Sequence, residues 1–284
     1  MAGNCLAPAK VNLFLHVGAP SEDGFHPICS AMVFADVGDL VSLDPRPGLT
    51  LSGPFSPGLD AGSDNLVTRA MGALGDHLPK GAGLHLEKRL PIAAGLGGGS
   101  SDAGAALRLL RSTYAPEMSD TVLEALAASL GSDGAACLWA KSVLAQGRGE
   151  RLSPWDLPPD LHGVLVNPRV AVSTAGVYRK YDEMAVFSDT APPARPDLFV
   201  DAEALARWLT KTRNDLQSPA LAMEPVISDV LDVLESGPGV LLARMSGSGA
   251  TCFALCSDRR RAEILASRVS QGHPDWWVQA CSFN

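Results

Sequence analysis

Apolar side chains alternate or cluster in short runs along the first part of the chain. Val11 to Val17 and Met32 to Leu43 are two such runs, rich in β-branched residues and separated by the turn-like segment Ala19 to Gly24. This pattern predicts two neighbouring strands. Asn65 to Leu78 repeats apolar positions at helical spacing, and Leu84 to Leu90 alternates again before a glycine-rich loop. The predicted order is therefore strand, strand, helix, strand, loop.

Two helices are predicted after the loop. They cover Ser101 to Leu110 and Ser119 to Leu130, and Gly131 is a plausible stop for the second. Short strands follow at Val143 to Ala145 and Gly163 to Val166, on either side of a proline-rich connection from Pro154 to Pro159. This connection predicts a domain boundary, with domains at residues 1–155 and 156–284.

The second half repeats the mixture of helices and strands. Helical spacing recurs in three segments: Ala202 to Lys211, Val226 to Glu235 and Arg260 to Ser270. Strands are expected up to Met245, over Phe253 to Cys256 and over Trp276 to Ala280, and a surface loop over Met184 to Pro196.

Composition narrows the class of protein. The chain has 284 residues, 46% hydrophobic and 19% charged, which is typical of a folded protein of two modest domains. A net charge of −8 without a long Lys/Arg run argues against nucleic acid or an anionic membrane as partner. An anionic substrate must then be held locally, by backbone N–H groups and by cations such as Lys10, Lys88, Arg89 and Arg148.

Cysteine spacing and the N-terminal residues indicate a cytoplasmic protein. The six cysteines are scattered without C-x-x-C spacing or a histidine cluster, so neither a disulfide framework nor a zinc site is expected. The N-terminal apolar stretch is interrupted by Lys10, Asn12 and His16 and resembles neither a signal peptide nor a membrane span.

The glycine-rich loop is the strongest candidate for chemistry. Pro91 to Ser101 reads PIAAGLGGGSS and precedes a predicted helix, so backbone N–H groups can converge on one anion at the helix N-terminus. A packing turn is the alternative, but three adjacent glycines followed by two serines favour phosphate. The loop lacks the Gly-Lys-Ser/Thr end of a P-loop, and no strand ending in an acid follows at the Rossmann spacing.

Three motifs together resemble the GHMP kinases, which include galactokinase, homoserine kinase and mevalonate kinase. Pro91 to Ser101 looks like the nucleotide loop of that family. Ala7 to Leu13, which reads APAKVNL, resembles its N-terminal motif, and Met245 to Thr251, which reads MSGSGAT, resembles its C-terminal glycine motif. The three motifs occur in the family's order.

Five further segments resemble the branch of the family that acts on a cytidylyl diphosphate alcohol, 4-diphosphocytidyl methylerythritol. They are Asp23 to His26, Asp64 to Val67, Gly131 to Asp133, Gly147 to Glu150 and Asn214 to Leu216. The resemblance implies an α/β (α+β) two-domain fold, with an N-terminal domain like the second domain of ribosomal protein S5 and a ferredoxin-like C-terminal domain. It also implies an active site between the domains and ATP-dependent phosphorylation of the 2-hydroxyl in isoprenoid precursor synthesis by the non-mevalonate route.

Phosphoryl transfer needs a group that accepts the hydroxyl proton and a cation near the transferred group. By resemblance, Asp133 is the general base, and Lys10 lies beside it and orients the substrate hydroxyl. Without the family context, a turn or capping role is the more ordinary explanation of Asp133, and a solvated edge lysine explains Lys10 equally well.

The resemblance also assigns the ligand contacts. ATP is expected at Asn65, Lys88, Pro91, Ala93, Gly95, Leu96, Gly97, Gly98, Gly99, Ser100 and Ser101. The acceptor is expected at Asn12, Phe25, His26, Thr174, Tyr178 and Gly247. Mg²⁺ accompanies ATP, and the hydroxyl of Ser100 or Ser101 is a candidate ligand by analogy with other phosphate loops. Asn65 alone is equally well explained as the N-cap of its helix.

The chain departs from the family pattern at three places, and two other functions stay open. Phe25 stands where tyrosine is usual, Asp102 where asparagine is common, and Gly134-Ala135 where Val-Pro is common. Asp102 is expected in the first turn of the helix, directed away from phosphate. A homoserine or mevalonate type of kinase and a non-catalytic nucleotide-binding regulator are the alternatives, but the cytidylyl segments disfavour the first, and the presence of Lys10 and Asp133 the second.

Overall fold

The structure is a computed structural model that describes residues 3–284. Its strands are β1 (Asn4–Val17), β2 (Ile28–Leu43), β3 (Gly48–Ser52), β4 (Gly83–Glu87), β5 (Val143–Gly147), β6 (Arg151–Pro154), β7 (His162–Asn167), β8 (Val240–Met245), β9 (Cys252–Cys256) and β10 (Trp277–Ser282).

Its helices are α1 (Leu66–Leu74), α2 (Gly98–Tyr114), α3 (Asp120–Leu130), α4 (Gly134–Trp139), α5 (Thr174–Met184), α6 (Ala202–Leu209), α7 (Gln217–Met223), α8 (Val226–Glu235) and α9 (Arg259–Gly272). No helix within residues 3–284 has both the length and the apolar character needed to cross a membrane.

The helices and strands predicted from periodicity are confirmed, with shifted ends. Helix α8 has the predicted bounds, and Ser119 caps α3, which stops at Gly131. Helix α2 begins at Gly98 rather than Ser101, because Gly97 takes a left-handed conformation with φ of 60° and Gly98 and Gly99 continue as helix. Elements β3, β6, α4, α5 and α7 were not predicted. The segments of β3, β6, α4 and α7 are at most seven residues long, too short to define a period.

The first of two compact units holds the described residues up to Lys10 together with Gly38–Ile92 and Gly97–Ala140. In it β4 pairs in parallel with β3 and antiparallel with the C-terminal part of β2. Helices α1 to α4 pack together, and their apolar faces share a core with the sheet. Leu84, Leu107 and Leu123, from a strand and two helices, are fully buried there.

The second unit comprises Val11–Val37, Ala93–Leu96 and Lys141–Asn284. Its antiparallel sheet has the order β10-β7-β9-β8. Strand β5 pairs antiparallel with the N-terminal part of β2 and with β6. Helices α5, α7, α8 and α9 contribute to an apolar cluster with β7, β8 and β9.

The two units alternate along the chain, since β1 and β2 each contribute residues to both. The predicted boundary at residue 155 divides the chain into two continuous segments, whereas each compact unit is made of several segments. The boundary therefore stays a prediction.

Candidate active site

The N-terminus of α2 is open to an anion. Gly97 is its N-cap and offers no side chain to the N–H groups of the first turn. The first intrahelical hydrogen bond runs from the Ser101 N–H to the Gly97 carbonyl, at 2.9 Å. The preceding N–H groups, of Gly98, Gly99 and Ser100, have no intrahelical acceptor because helix geometry provides none. This arrangement fits a phosphate group.

Lys10 and Asp133 lie beside this helix start. The Lys10 Nζ is 3.2 Å from Asp133 Oδ2, and the two side chains are 6% and 27% exposed. A Cβ added to Gly97 would lie 2.9 Å from Lys10 Cε and 3.7 Å from Asp133 Oδ2. Position 97 therefore requires glycine for two reasons: its φ is positive, and Lys10 occupies the space that a side chain would need.

Asp133 precedes α4 but does not cap it. The residue is at the N-cap position with a helical backbone, and its side chain makes no capping hydrogen bond. The capping alternative is therefore not what the carboxylate does. An accessible carboxylate next to an ammonium and a helix N-terminus can accept a proton from a hydroxyl and support charge on a phosphoryl group.

Lys88, a predicted nucleotide residue, is buried beneath the helix start. Its ammonium donates to Oδ2 of Asp39 and, at 2.8 Å, to Oδ2 of Asp102. Burial alone would lower the pKa of Lys88, but the two carboxylates raise it. Burial raises the pKa of Asp102, an effect that the neighbouring Lys88 ammonium opposes and Asp39 reinforces.

Asp102 was expected in the first turn of the helix, and this is wrong. Because α2 starts at Gly98, Asp102 falls in the second turn, where its carboxylate is buried against Lys88. Asp39 was missed altogether. An acid inside the apolar run of β2 was the signal that could have identified it, because a buried carboxylate needs a partner.

Asn65 caps α1, as the alternative interpretation held. Its Oδ1 accepts the Val67 N–H at 2.9 Å, and its Nδ2 donates to the Asp60 carbonyl at 2.9 Å. Its contact with nucleotide stays a prediction. Of the two candidate magnesium ligands, Ser101 is fully buried and Ser100 has exposed surface. No cluster of three or more His, Cys, Asp or Glu side chains suited to a metal occurs in the part of the chain that the structure describes.

In the second unit, two glycine loops are in backbone contact. The Thr251 N–H donates to the Ala94 carbonyl at 3.1 Å, and Ser246 Oγ to the Gly95 carbonyl at 2.9 Å. A Cβ on Gly95, whose φ is 74°, would lie 2.3 Å from the Ser246 carbonyl oxygen. Leu96 is buried, and the Ala93 carbonyl accepts the Val172 N–H at 3.3 Å.

Three predicted acceptor residues lie at the second of these loops, Ser246 to Thr251. The side chain of the buried Asn12 packs against Gly247, since a Cβ on Gly247 would be 3.2 Å from Asn12 Oδ1. Asn12 also donates its backbone N–H to Ser246 Oγ at 3.1 Å. Thr174 Oγ1 and Ser248 Oγ are 2.7 Å apart. The structure thus brings Asn12, Thr174 and Gly247 to one loop.

The three ring-bearing residues predicted to contact the acceptor, Phe25, His26 and Tyr178, have different surroundings. The rings of His26 and Tyr178 are 5.2 Å apart. His26 Nδ1 is 2.8 Å from the Gly18 carbonyl oxygen and Nε2 is 3.1 Å from Asp182 Oδ1, so both ring nitrogens have protein partners. Phe25 is 57% exposed, and the Arg148 guanidinium lies 4.5 Å from its ring centroid.

Comparison with known proteins identifies the family. Residues 65–141 match the N-terminal domain of the GHMP kinases, and residues 198–275 match their C-terminal domain. The chain belongs to the GHMP kinase family. It has that family's two-domain fold of mixed helices and strands.

Relatives within the GHMP kinases are similar over nearly the whole chain. The protein named 4-diphosphocytidyl-2-C-methyl-D-erythritol kinase in Caulobacter vibrioides is 58% identical, over 98% of each chain. The protein of the same name in Hyphomonas neptunium is 45% identical, over 96% of this chain and 94% of its own.

Solved structures of GHMP kinases agree in fold. A crystal structure of 4-(cytidine 5'-diphospho)-2C-methyl-D-erythritol kinase is 33% identical, covers 99% of both chains and has a TM-score of 0.78. Homoserine kinase from Cytophaga hutchinsonii has a TM-score of 0.66 at 17% identity, over 99% of this chain and 95% of its own, which is a likeness of fold alone.

Proposed function

We propose that this GHMP kinase uses ATP to phosphorylate the 2-hydroxyl of 4-diphosphocytidyl-2-C-methyl-D-erythritol, in the non-mevalonate synthesis of isoprenoid precursors. One observation carries the kinase assignment: Lys10 and Asp133 form a pair at 3.2 Å against Gly97, the N-cap residue of α2, which offers no capping side chain. The choice of acceptor is supported by the names of relatives that share 58% and 45% of their residues with this chain.

The chemistry follows from the first unit. The N–H groups at the start of α2 bind the phosphates of the nucleotide. Asp133 accepts the proton of the acceptor hydroxyl. The hydroxyl oxygen bonds to the γ-phosphorus of ATP while the bond between that phosphorus and the ADP oxygen breaks. The Lys10 ammonium orients that hydroxyl and offsets charge on the transferred phosphoryl group. Mg²⁺, when bound with ATP, neutralises phosphate charge, and the Ser100 hydroxyl is the candidate protein ligand.

The acceptor is assigned to residues of the second unit. Phe25 and Tyr178 offer aromatic faces to the cytosine ring, and Asn12, Thr174 and Gly247 are assigned to the rest of the molecule. Stacking is worth roughly 1 to 3 kcal/mol per base and needs no phenol hydroxyl, so phenylalanine serves at position 25. The His26 ring can hydrogen-bond the base only if Gly18 or Asp182 releases a nitrogen.

The remaining assignments are a cytoplasmic location, ATP and the cytidylyl alcohol as small-molecule partners with neither nucleic acid nor membrane, and a domain boundary at residue 155. A homoserine or mevalonate acceptor is supported by fold alone, at 17% and 12% identity. A non-catalytic regulator has no need of the Lys10–Asp133 pair.

Analysis of the reaction product tests the proposal. Purified protein is incubated with ATP, Mg²⁺ and the cytidylyl alcohol, and ADP and the new phosphate ester are followed by phosphorus NMR. The expected result is one ester per ADP, on the 2-hydroxyl, with the cytidylyl diphosphate intact. ADP formation that is independent of the alcohol, or an ester at another hydroxyl, would contradict it.

A further inference from the structure

The ammonium of Lys88 is enclosed by carboxylates from two other elements of the first unit. It donates to Asp39, on β2, and to Asp102, on α2. All three residues are buried, the most exposed at 4%. Because such an ammonium is buried, matched in charge and uses two of its three donors on carboxylates, it has little to offer a phosphate.

Lys88 and Asp102 stand at the two ends of the glycine-rich loop. Lys88 directly follows β4, and Asp102 lies in the second turn of α2, so their 2.8 Å ion pair closes the chain segment that contains Pro91 to Ser101. Closing a segment of this kind reduces the conformations available to it.

Asp39 attaches the same junction to the sheet. Its Oδ1 accepts the N–H groups of Arg89 at 2.5 Å and Leu90 at 2.8 Å, where the chain leaves β4. The Lys88 N–H also donates to the Ser52 carbonyl at 2.8 Å. The first end of the loop is therefore fixed by both backbone and side chain.

The cluster also supports the first turn of α2. A Cβ added to Gly98 would lie 3.2 Å from the Lys88 Nζ and 3.8 Å from Asp39 Oδ2. The N–H groups assigned to phosphate therefore rest almost directly on the ion pair. A displacement of Lys88 or Asp102 would move or loosen this turn.

We propose that Lys88 is a positioning residue. Its ion pairs with Asp39 and Asp102, together called the clasp, hold the N–H groups of the helix start in the orientation that binds the phosphates of ATP. It acts through this clasp and not by direct contact with the nucleotide. The inference rests on the proposed function, since ATP is the ligand whose phosphates are positioned.

Asp102→Ala is the central test, because it opens the clasp while leaving Lys88 paired with Asp39. No buried charge loses its only partner, so the variant is expected to fold. KM for ATP should rise roughly tenfold, the size of a coupling between contacting groups, with KM for the acceptor nearly unchanged. Asp102→Asn keeps an oxygen acceptor for Lys88 and should stay near wild type. Asp120→Ala, which removes the exposed pair with Arg111 in the same unit, is the matched control.

A double-mutant cycle separates the clasp from a direct contact. Lys88→Met and Lys88→Met/Asp102→Ala should have a similar KM for ATP, because both lack the same ion pair. If Lys88 instead contacts ATP, Lys88→Met should raise KM for ATP while Asp102→Ala leaves it unchanged. That result would overturn the proposal. If Lys88→Met does not fold, the comparison of Asp102→Ala with Asp102→Asn still decides.

Amide hydrogen exchange over residues 91–101, without nucleotide, provides a readout that does not depend on activity. Faster exchange in Asp102→Ala than in Asp102→Asn supports the clasp, and equal exchange with an unchanged KM overturns it. If the wild type neither binds a non-hydrolysable ATP analogue nor turns over, the proposed function fails, and the exchange measurement alone decides whether the clasp orders the loop.

Discussion

The ammonium of Lys10 lies 3.2 Å from the Asp133 carboxylate, and both side chains contact the space that a Cβ at Gly97 would fill. A buried ammonium requires a nearby carboxylate or phosphate. The Asp133 carboxylate meets this need for Lys10, and the start of α2 beside the pair is suited to bind a phosphate.

Asp133→Asn and Lys10→Ala should each abolish turnover while the fold and ATP binding largely persist. Removal of a positioned base costs roughly 100- to 10,000-fold in rate. Turnover at saturating substrate and titration with a non-hydrolysable ATP analogue measure the two effects separately. Asp120→Asn, at an exposed carboxylate paired with Arg111, is the control. Near wild-type turnover in Asp133→Asn would show that another group is the base.

Gly98→Val should raise KM for ATP far more than KM for the acceptor. A side chain at position 98 blocks approach of phosphate to the backbone, and its Cβ would press on Lys88 at 3.2 Å. Gly72→Val is a matched change inside α1, where a Cβ meets nothing within 4 Å. Unchanged affinity for the ATP analogue in a folded Gly98→Val protein would mean that the loop is a packing turn.

Tyr178→Ala and His26→Ala should affect acceptor recognition differently. Loss of the Tyr178 ring should weaken cytidylyl and uridylyl acceptors alike, because stacking does not distinguish the bases. Loss of His26 should reduce the preference for cytosine, since hydrogen bonds carry that choice. The readout is kcat/KM for both acceptors, with Tyr114→Ala, a partly exposed aromatic at the end of α2, as control. If His26→Ala kept the wild-type preference for cytosine, His26 would not select the base, and its ring would serve only to support Tyr178.

Arg244→Met should destabilise the second unit by about 3 kcal/mol or more, the cost of leaving several buried acceptors unpaired. The guanidinium donates to the carbonyls of Leu13, Leu209 and Thr212 and to the Thr212 hydroxyl, at 2.8 to 3.0 Å. Burial lowers the pKa of Arg244 to about 10, so it stays charged at neutral pH. Denaturant unfolding measures the change, with exposed Arg207→Met as control; a loss below 1 kcal/mol would contradict this account.

The sequence predicted features that depend on local spacing. The apolar period of α8 and the glycine stop of α3 at Gly131 are local signals, and both are confirmed. The Asp39–Lys88–Asp102 cluster could not be predicted in this way, because Asp39 and Lys88 are 49 positions apart and meet only when β2 pairs with β4. The short helix α4, which follows Asp133, is stabilised by packing on α2 and not by its own sequence.

The most direct test of the central claim is kcat/KM across a panel of acceptors, with ADP release coupled to a spectroscopic assay. The panel contains 4-diphosphocytidyl-2-C-methyl-D-erythritol, homoserine and mevalonate. We expect turnover of the cytidylyl compound, dependent on ATP and lost in Asp133→Asn, and none above background with the other two. Equal or faster turnover of homoserine or mevalonate, or no acceptor-dependent ADP release at all, would contradict the assignment.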